Sequence, residues 1–263
     1  MGLARTLSRG QAGLDSYLVT VEVHVAGGLP GFTVTGLPAA AVRESKDRVR
    51  AALANSGHEV PASRITVHLG PADIPKTGGR FDLAIALGVV LAKPDAPRWG
   101  VSGTEFLGEL ALDGELRPIN GALPAVLAAR ESGHALVLPT ANAAEAALVA
   151  DAEVYAAAHL KEVVSHLRGE QRLPRVAART EPVATDAALD IGDVRGQTFA
   201  KRALAVAAAG GHNLLMIGPP GSGKSMLAER LSSLLPPLTH DEMLGVASIA
   251  SVAPMRNVST LPV

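Results

Sequence analysis

Gly218-Pro219-Pro220-Gly221-Ser222-Gly223-Lys224-Ser225 spells G-x-x-x-x-G-K-[ST], the pattern of a phosphate-binding P-loop. Its glycines let the backbone curl until successive N–H groups point inward at an anion. Lys224 is placed to reach the β/γ-phosphates of ATP, and the Ser225 hydroxyl to hold Mg²⁺. The pattern has this meaning only between a buried strand and a helix. Upstream, Asn213-Leu214-Leu215-Met216-Ile217 is a short apolar run and predicts that strand. Downstream, Lys224 to Leu235 predicts a helix with an apolar stripe of Met226, Leu227, Leu231, Leu234 and Leu235. Its N-terminal dipole would add to the anion site. A glycine turn that binds nothing is the alternative, and the strand–loop–helix setting argues against it.

The 263 residues suffice for one large or two ordinary domains. With 48% hydrophobic and 19% charged residues, the composition is that of a globular protein with ample core material. A net charge of −1 excludes an overall basic field that would recruit nucleic acid or anionic membrane. Aromatics at 3% leave few platforms for stacking bases. Cysteine is absent, which excludes disulfides and Cys-ligated zinc. The N-terminus has no secretory pattern, and the apolar run Leu83 to Ala92 is too short to span a bilayer. These features predict a cytoplasmic protein without a membrane partner.

Ahead of the P-loop lies a first block, residues 1–168. Val19, Val21, Val23 and Val25 alternate with polar residues and predict a half-buried strand, with Phe32 to Thr35 returning after a glycine turn. Ala39 to Asn55 predicts a helix closed by Gly57, Arg64 to Leu69 a strand, and Phe81 to Leu91 a mostly buried helix. Phe106 to Arg117 predicts a hairpin around Asp113-Gly114. Helix 120–132, strand 135–138, helix 141–148, strand 153–156 and helix 160–167 complete the block. Strands and helices mix without strict alternation, which predicts an α+β domain. Residues 169–190 read as a linker, and 191–263 as a second domain holding the P-loop.

Quoted together, VTVEVHVAGGLPGFTVTGLPAAAVRESKDRVRAALANSG, GPADIPKTGGRFDLAIALG, GELALDGELRPINGALP, DVRGQ and GPPGSGKSMLAERL resemble the magnesium-chelatase-like AAA+ family of the ComM/YifB type. The resemblance runs over nearly the whole chain. It implies a Lon-protease-like (ribosomal S5 domain 2-like) N-terminal domain followed by the first part of an α/β AAA+ ATPase domain. It further implies ring-shaped homo-oligomers and, for the ComM type, DNA branch migration during natural transformation. From the resemblance alone, Val194 and Gln197 match the segment beside the adenine. Lon-like proteases carry a Ser in the loop that here reads Pro75-Lys76-Thr77-Gly78-Gly79-Arg80, and a Lys where this chain has Leu123. A Ser–Lys dyad needs both groups, so the resemblance implies a non-proteolytic domain.

Hydrolysis of ATP also needs an acid for Mg²⁺ and, in rings, an arginine finger. The acidic pair after the P-loop, Asp241-Glu242, follows no apolar strand, and Thr239 with Glu242 has capping-box spacing, so it predicts a helix start. The chain is therefore expected to end inside its ATPase domain, without catalytic residues of its own. A non-hydrolysing nucleotide-binding fragment or regulatory module is one alternative, and a magnesium-chelatase motor subunit another. Arg43, Lys46 and Arg50 could touch a nucleic-acid backbone, but Glu44 and Asp47 predict a self-paired helix face. Lys76 and Arg80 flank glycines in a loop that could suit an anion, with a purely structural loop the favoured reading. The histidines show no compact ligand spacing. Asp82 is expected to cap the helix that follows it, the alternative being a carboxylate pair with Asp73.

Overall fold

The computed structural model describes residues 2–93, 96, 100–178, 189–236 and 238–253. Two compact units divide the chain: residues 2–178 with 244–253, and residues 189–243.

In the first unit, β1 (Gly2–Ala12) and β2 (Asp15–Ala26) form a long antiparallel hairpin turned at Gly13. Val19, Val21, Val23 and Val25 all point into the core, as their alternation predicts. β3 (Gly31–Thr35) does not return beside β2; it lies parallel to β4 (Arg64–Gly70), and β4 runs antiparallel to β2. The connection from β3 to β4 carries α1 (Ala40–Arg43) and α2 (Ser45–Asn55), one predicted helix broken at Glu44. β5 (Thr104–Phe106), β8 (Ala135–Pro139) and β9 (Val154–Ala157) extend the sheet in parallel beyond β1, giving the order β3-β4-β2-β1-β5-β8-β9.

Four pairings are thus parallel and two antiparallel. The unit is mixed α/β with a mostly parallel sheet, where strand–helix order alone predicts α+β. The predicted hairpin around Gly114 shrinks to β6 (Glu109–Leu110) and β7 (Leu116–Arg117), outside the main sheet. α4 (Ala122–Glu131), α5 (Ala143–Ala146) and α6 (Leu160–Leu167) occupy the later connections.

α3 (Asp82–Leu91) is the centre of this unit, with every residue up to Val90 buried. It lies so close to the hairpin that a Cβ on Gly88 would strike Val23, and Thr6 Oγ1 donates to the Ala84 carbonyl at 2.9 Å. Asp82 does not cap this helix: Phe81 is the N-cap and no side chain bonds there. Instead the fully buried carboxylate accepts from Ser45 Oγ, from Arg48 Nε at 2.6 Å and from the Leu110 N–H at 3.2 Å. One carboxylate therefore joins α2, α3 and β6, and Asp73 is not among its partners. Burial pushes its pKa up, against the pull of Arg48 and Ser45.

The predicted self-pairing of the α2 face is likewise replaced by contacts to other elements. Arg48 turns to Asp82, Arg43 donates to the Pro38 carbonyl at 3.2 Å, and Arg50 lies over the Phe32 ring at 5.9 Å. Another buried pair, Arg9 with Glu105 at 2.6 Å, ties β1 to β5, with His134 Nδ1 2.7 Å from the same carboxylate.

The segment read as a linker begins against β9: Leu173 is buried, and the Ala156 and Val176 N–H groups bond across to Pro174 and Val154. Its remainder, 179–188, lies outside the described residues, as do residues 94, 95, 97–99 and those after Ala253.

The second unit has a smaller core. Val194, Leu204 and Leu227 are buried, with Ile191, Ala200, Met216, Leu231 and Leu234 packed around them. α7 (Thr198–Gly210) is the predicted helix, ended by Gly211 at φ +62°. The predicted helix from Lys224 to Leu235 is split: α8 (Lys224–Glu229) is followed by a 3₁₀ turn, Leu231–Leu234. α9 (His240–Val252) starts as its spacing predicts, Glu242 accepting from the Thr239 N–H at 2.8 Å while Thr239 Oγ1 accepts from the Glu242 N–H at 3.3 Å.

The predicted strand Asn213–Ile217 is irregular chain without ladder hydrogen bonds among the described residues, and Leu215 and Ile217 are 82% and 88% exposed. A strand needs a neighbour to take its N–H and C=O groups. Among the described residues this unit contains no other strand. No helix among the described residues is long and apolar enough to cross a membrane.

Candidate functional site

The loop 218–225 is built by backbone conformations that side chains resist. Gly221 at φ +78° and Gly223 at φ +84° are left-handed, and they turn the chain into α8. Among the described residues, the main-chain N–H groups of Gly221, Gly223, Lys224 and Ser225 donate to no protein acceptor. Only the Ser222 N–H is used within the loop, to Pro219 at 3.4 Å.

Lys224 curls back over this hollow. Its ammonium donates to the Gly218 and Pro219 carbonyls, each at 2.8 Å, and to Ser222 Oγ at 3.3 Å. All three of its protons are thereby held by weak neutral acceptors. An oxyanion entering the loop would offer the ammonium a charge-assisted bond in their place. Among the described residues the Ser225 hydroxyl makes no hydrogen bond, and it is exposed at the first turn of α8. Met226 is 36% exposed, and Leu227 behind it anchors the helix in the core.

Of the two residues singled out upstream, Gln197 reaches the loop and Val194 lies in the core. Gln197 is left-handed at φ +51°, and its Nε2 donates to the Ser222 carbonyl at 3.4 Å. A Cβ on Gly223 would come within 2.9 Å of that amide nitrogen, which would have to give way, and the left-handed φ favours glycine there in any case. Val194 is 3% exposed and packs under α7 and α8 without facing the loop. Around these residues lies a cavity of about 380 Å³, whose apolar side is Phe199, Ala203 and Leu214 to Ile217. Those wall residues carry no motif of their own; the apolar run Leu214–Ile217 was legible only as a strand. Pro219 lines this cavity, and Pro220 sits exposed at the crest of the loop. The hollow has the donors for a phosphate chain and an apolar wall for a flat ring.

In the first unit, the loop Lys76–Arg80 and the turn Pro118–Leu123 approach one another. Arg80 donates to the Asn120 carbonyl, Leu123 is fully buried, and Lys76 spends its ammonium on the Ile74 carbonyl at 2.8 Å.

Two family models match the chain. One, described as subunit ChlI of Mg-chelatase, covers residues 21–142; the other, magnesium chelatase subunit ChlI, covers residues 190–261. Competence protein ComM of Haemophilus influenzae is 48% identical over 256 residues, covering 96% of this chain and 50% of that protein. The uncharacterized protein YifB of Salmonella typhimurium is 45% identical over 254 residues, 96% of this chain and 50% of its own length. The uncharacterized protein Rv2897c of Mycobacterium tuberculosis is 45% identical over 262 residues, 99% and 52% respectively. The chain thus spans about half the length of the relatives it matches.

Proposed function

The chain belongs to the magnesium-chelatase-like family of the ComM/YifB type, and from that premise we propose that Gly218–Ser225 binds Mg-ATP. The observation that carries the reading is the loop itself: among the described residues, the N–H groups of Gly221, Gly223, Lys224 and Ser225 have no acceptor, one ammonium rests on neutral carbonyls, and one hydroxyl is unused. Lys224 would leave Gly218 and Pro219 for the β/γ-phosphates, and Ser225 would ligate Mg²⁺. Gln197 and Val194 would border the base, the former directly and the latter as the packing beneath. The bound nucleotide supplies a phosphoanhydride bond; these residues bind and orient it.

Residues 1–168 are then a Lon-like, non-proteolytic domain, 169–190 the connection, and 191–263 the first portion of an AAA+ domain. In a protein of the relatives' length, about twice that of this chain, ATP hydrolysis would drive a cytoplasmic homo-oligomeric ring in DNA processing. The name of the Haemophilus influenzae relative, competence protein ComM, is consistent with that role. For the 263 residues themselves a second reading has its own support: among the described residues of the second unit no buried strand ends in an acidic pair, and Asp241-Glu242 opens a helix. On this reading the chain binds nucleotide without turning it over.

Calorimetry with Mg-ATP tests the first reading. Saturable heat is expected, weakened by about tenfold or more in Lys224→Ala, the loss of one charge-assisted contact to phosphate. No heat with the folded chain would overturn it. A steady-state ATPase rate on this chain that falls with Lys224→Ala would overturn the second.

A further inference from the structure

The loop between β4 and α3 holds a charge that nucleotide binding does not use. Arg80 is 7% exposed, and its guanidinium donates to the Asn120 carbonyl and, at 3.4 Å, to Gln11 Oε1. Both acceptors are neutral. No carboxylate among the described residues lies within ion-pair distance of it. A buried cation without a counter-charge is unfavourable, and burial lowers its pKa to about 10, with Tyr17 and Glu145 only partly opposing.

Arg80 lines a cavity of about 320 Å³ together with Thr77, Gly78, Gly79 and Glu109. The main-chain N–H groups of Thr77, Gly78, Gly79 and Arg80 donate to no protein acceptor among the described residues. Gly78 is left-handed at φ +77°, so successive amides can converge on one anion. Glu109 stands beside them: a Cβ on Gly79 would strike its carboxylate, and its ion-pair partner, Arg117, is no nearer than 3.9 Å. Polypeptide main chain already meets this rim. The Gly121 N–H donates to the Ser251 carbonyl at 2.8 Å, and Val252 lines the cavity.

We propose that this cavity captures the free C-terminal carboxylate of a polypeptide, bound by Arg80 and the Thr77–Arg80 amides, with the last peptide N–H directed to Glu109. A single negative charge matches a single guanidinium. A phosphate dianion would set its second charge against Glu109, and one cation flanked by an acid offers no track for a nucleic-acid backbone. Capture of a terminal carboxylate in a backbone nest is a known recognition mode.

Titration of the intact chain with acetyl-tetraalanine, its C-terminal amide, and inorganic phosphate tests the assignment. The acid is expected to bind saturably, the amide about tenfold more weakly or worse, and phosphate no better than the amide. Arg80→Gln, its fold checked by thermal melting, should erase the acid's advantage, whereas Lys224→Ala should preserve it. Should Arg80→Gln not fold, Glu109→Gln reads the other half: phosphate binding should rise and the preference for the acid over phosphate should shrink. Equal binding of acid and amide, phosphate tighter than acid, or an unchanged preference in folded Arg80→Gln or in Glu109→Gln would each overturn the proposal.

Discussion

Asp82 shows how one side chain can carry more than its local sequence suggests. At the start of a helix an aspartate reads as a cap, yet its carboxylate is spent on Ser45, Arg48 and the Leu110 N–H. Removing it would strand a half-sheltered guanidinium, a buried hydroxyl and a backbone donor at once. Asp82→Ala is therefore expected to lower stability by about 3 kcal/mol, the range found when one partner of a buried pair is deleted. Urea denaturation followed by circular dichroism measures it; a loss under about 1 kcal/mol would mean the network relaxes without cost. The cap reading failed because the partners lie 37 and 34 residues upstream and 28 downstream, separations a local pattern cannot report. Lys224 is the opposite case. Its motif is local: the spacing predicts a reach to phosphates, and the structure sets the ammonium on the loop's own carbonyls.

Among elements, legibility followed how strongly the inward phase is apolar. β2 and β4 announce themselves through valine, isoleucine and leucine on alternate residues. β1 pairs with β2 along its whole length, yet its inward residues include Ala4, Thr6 and Ser8, too small or polar to form a periodic signal. The pairing of β3 was invisible because parallel neighbours are chosen by the whole sheet, not by the nearest turn. The start of α9 was legible, since a capping box is contained within four residues. It also titrates. The Thr239 N–H and hydroxyl hold the Glu242 carboxyl below its usual 4.5. A depressed carboxylate contributes stability above 4.5 that is lost as pH falls through the folded value. A carbon-13 titration should place Glu242 under 4.5, and Thr239→Ala, which removes the hydroxyl but keeps the N–H donor, should raise it only part of the way back. An unchanged value in that variant would remove the hydroxyl from the account.

Across the molecule the two units differ in how much apolar surface each buries. The first has a continuous core from both sides of α3 to α6, while the second relies on Val194, Leu204 and Leu227 and leaves Phe199, Leu215 and Ile217 in solvent. Conformational entropy is lost roughly per ordered residue, so a unit with few buried contacts must open more readily. Amide exchange read by mass spectrometry should show this directly. Peptides spanning 198–235 are expected to open at least about 3 kcal/mol more easily than those of β2 and α3. Segment 212–219 should exchange fastest, since none of its amides but the first, at His212, belongs to a helix end or a ladder. Mg-ATP binds only the closed loop in the proposed site, so it should protect these peptides selectively, by about 2.7 kcal/mol at a hundredfold excess over its dissociation constant. The β2 and α3 peptides should not move. Uniform protection along the chain would mean that the small core is as stable as the large one. Selective weakness without any response to Mg-ATP would leave the unit's construction intact and remove the nucleotide from it.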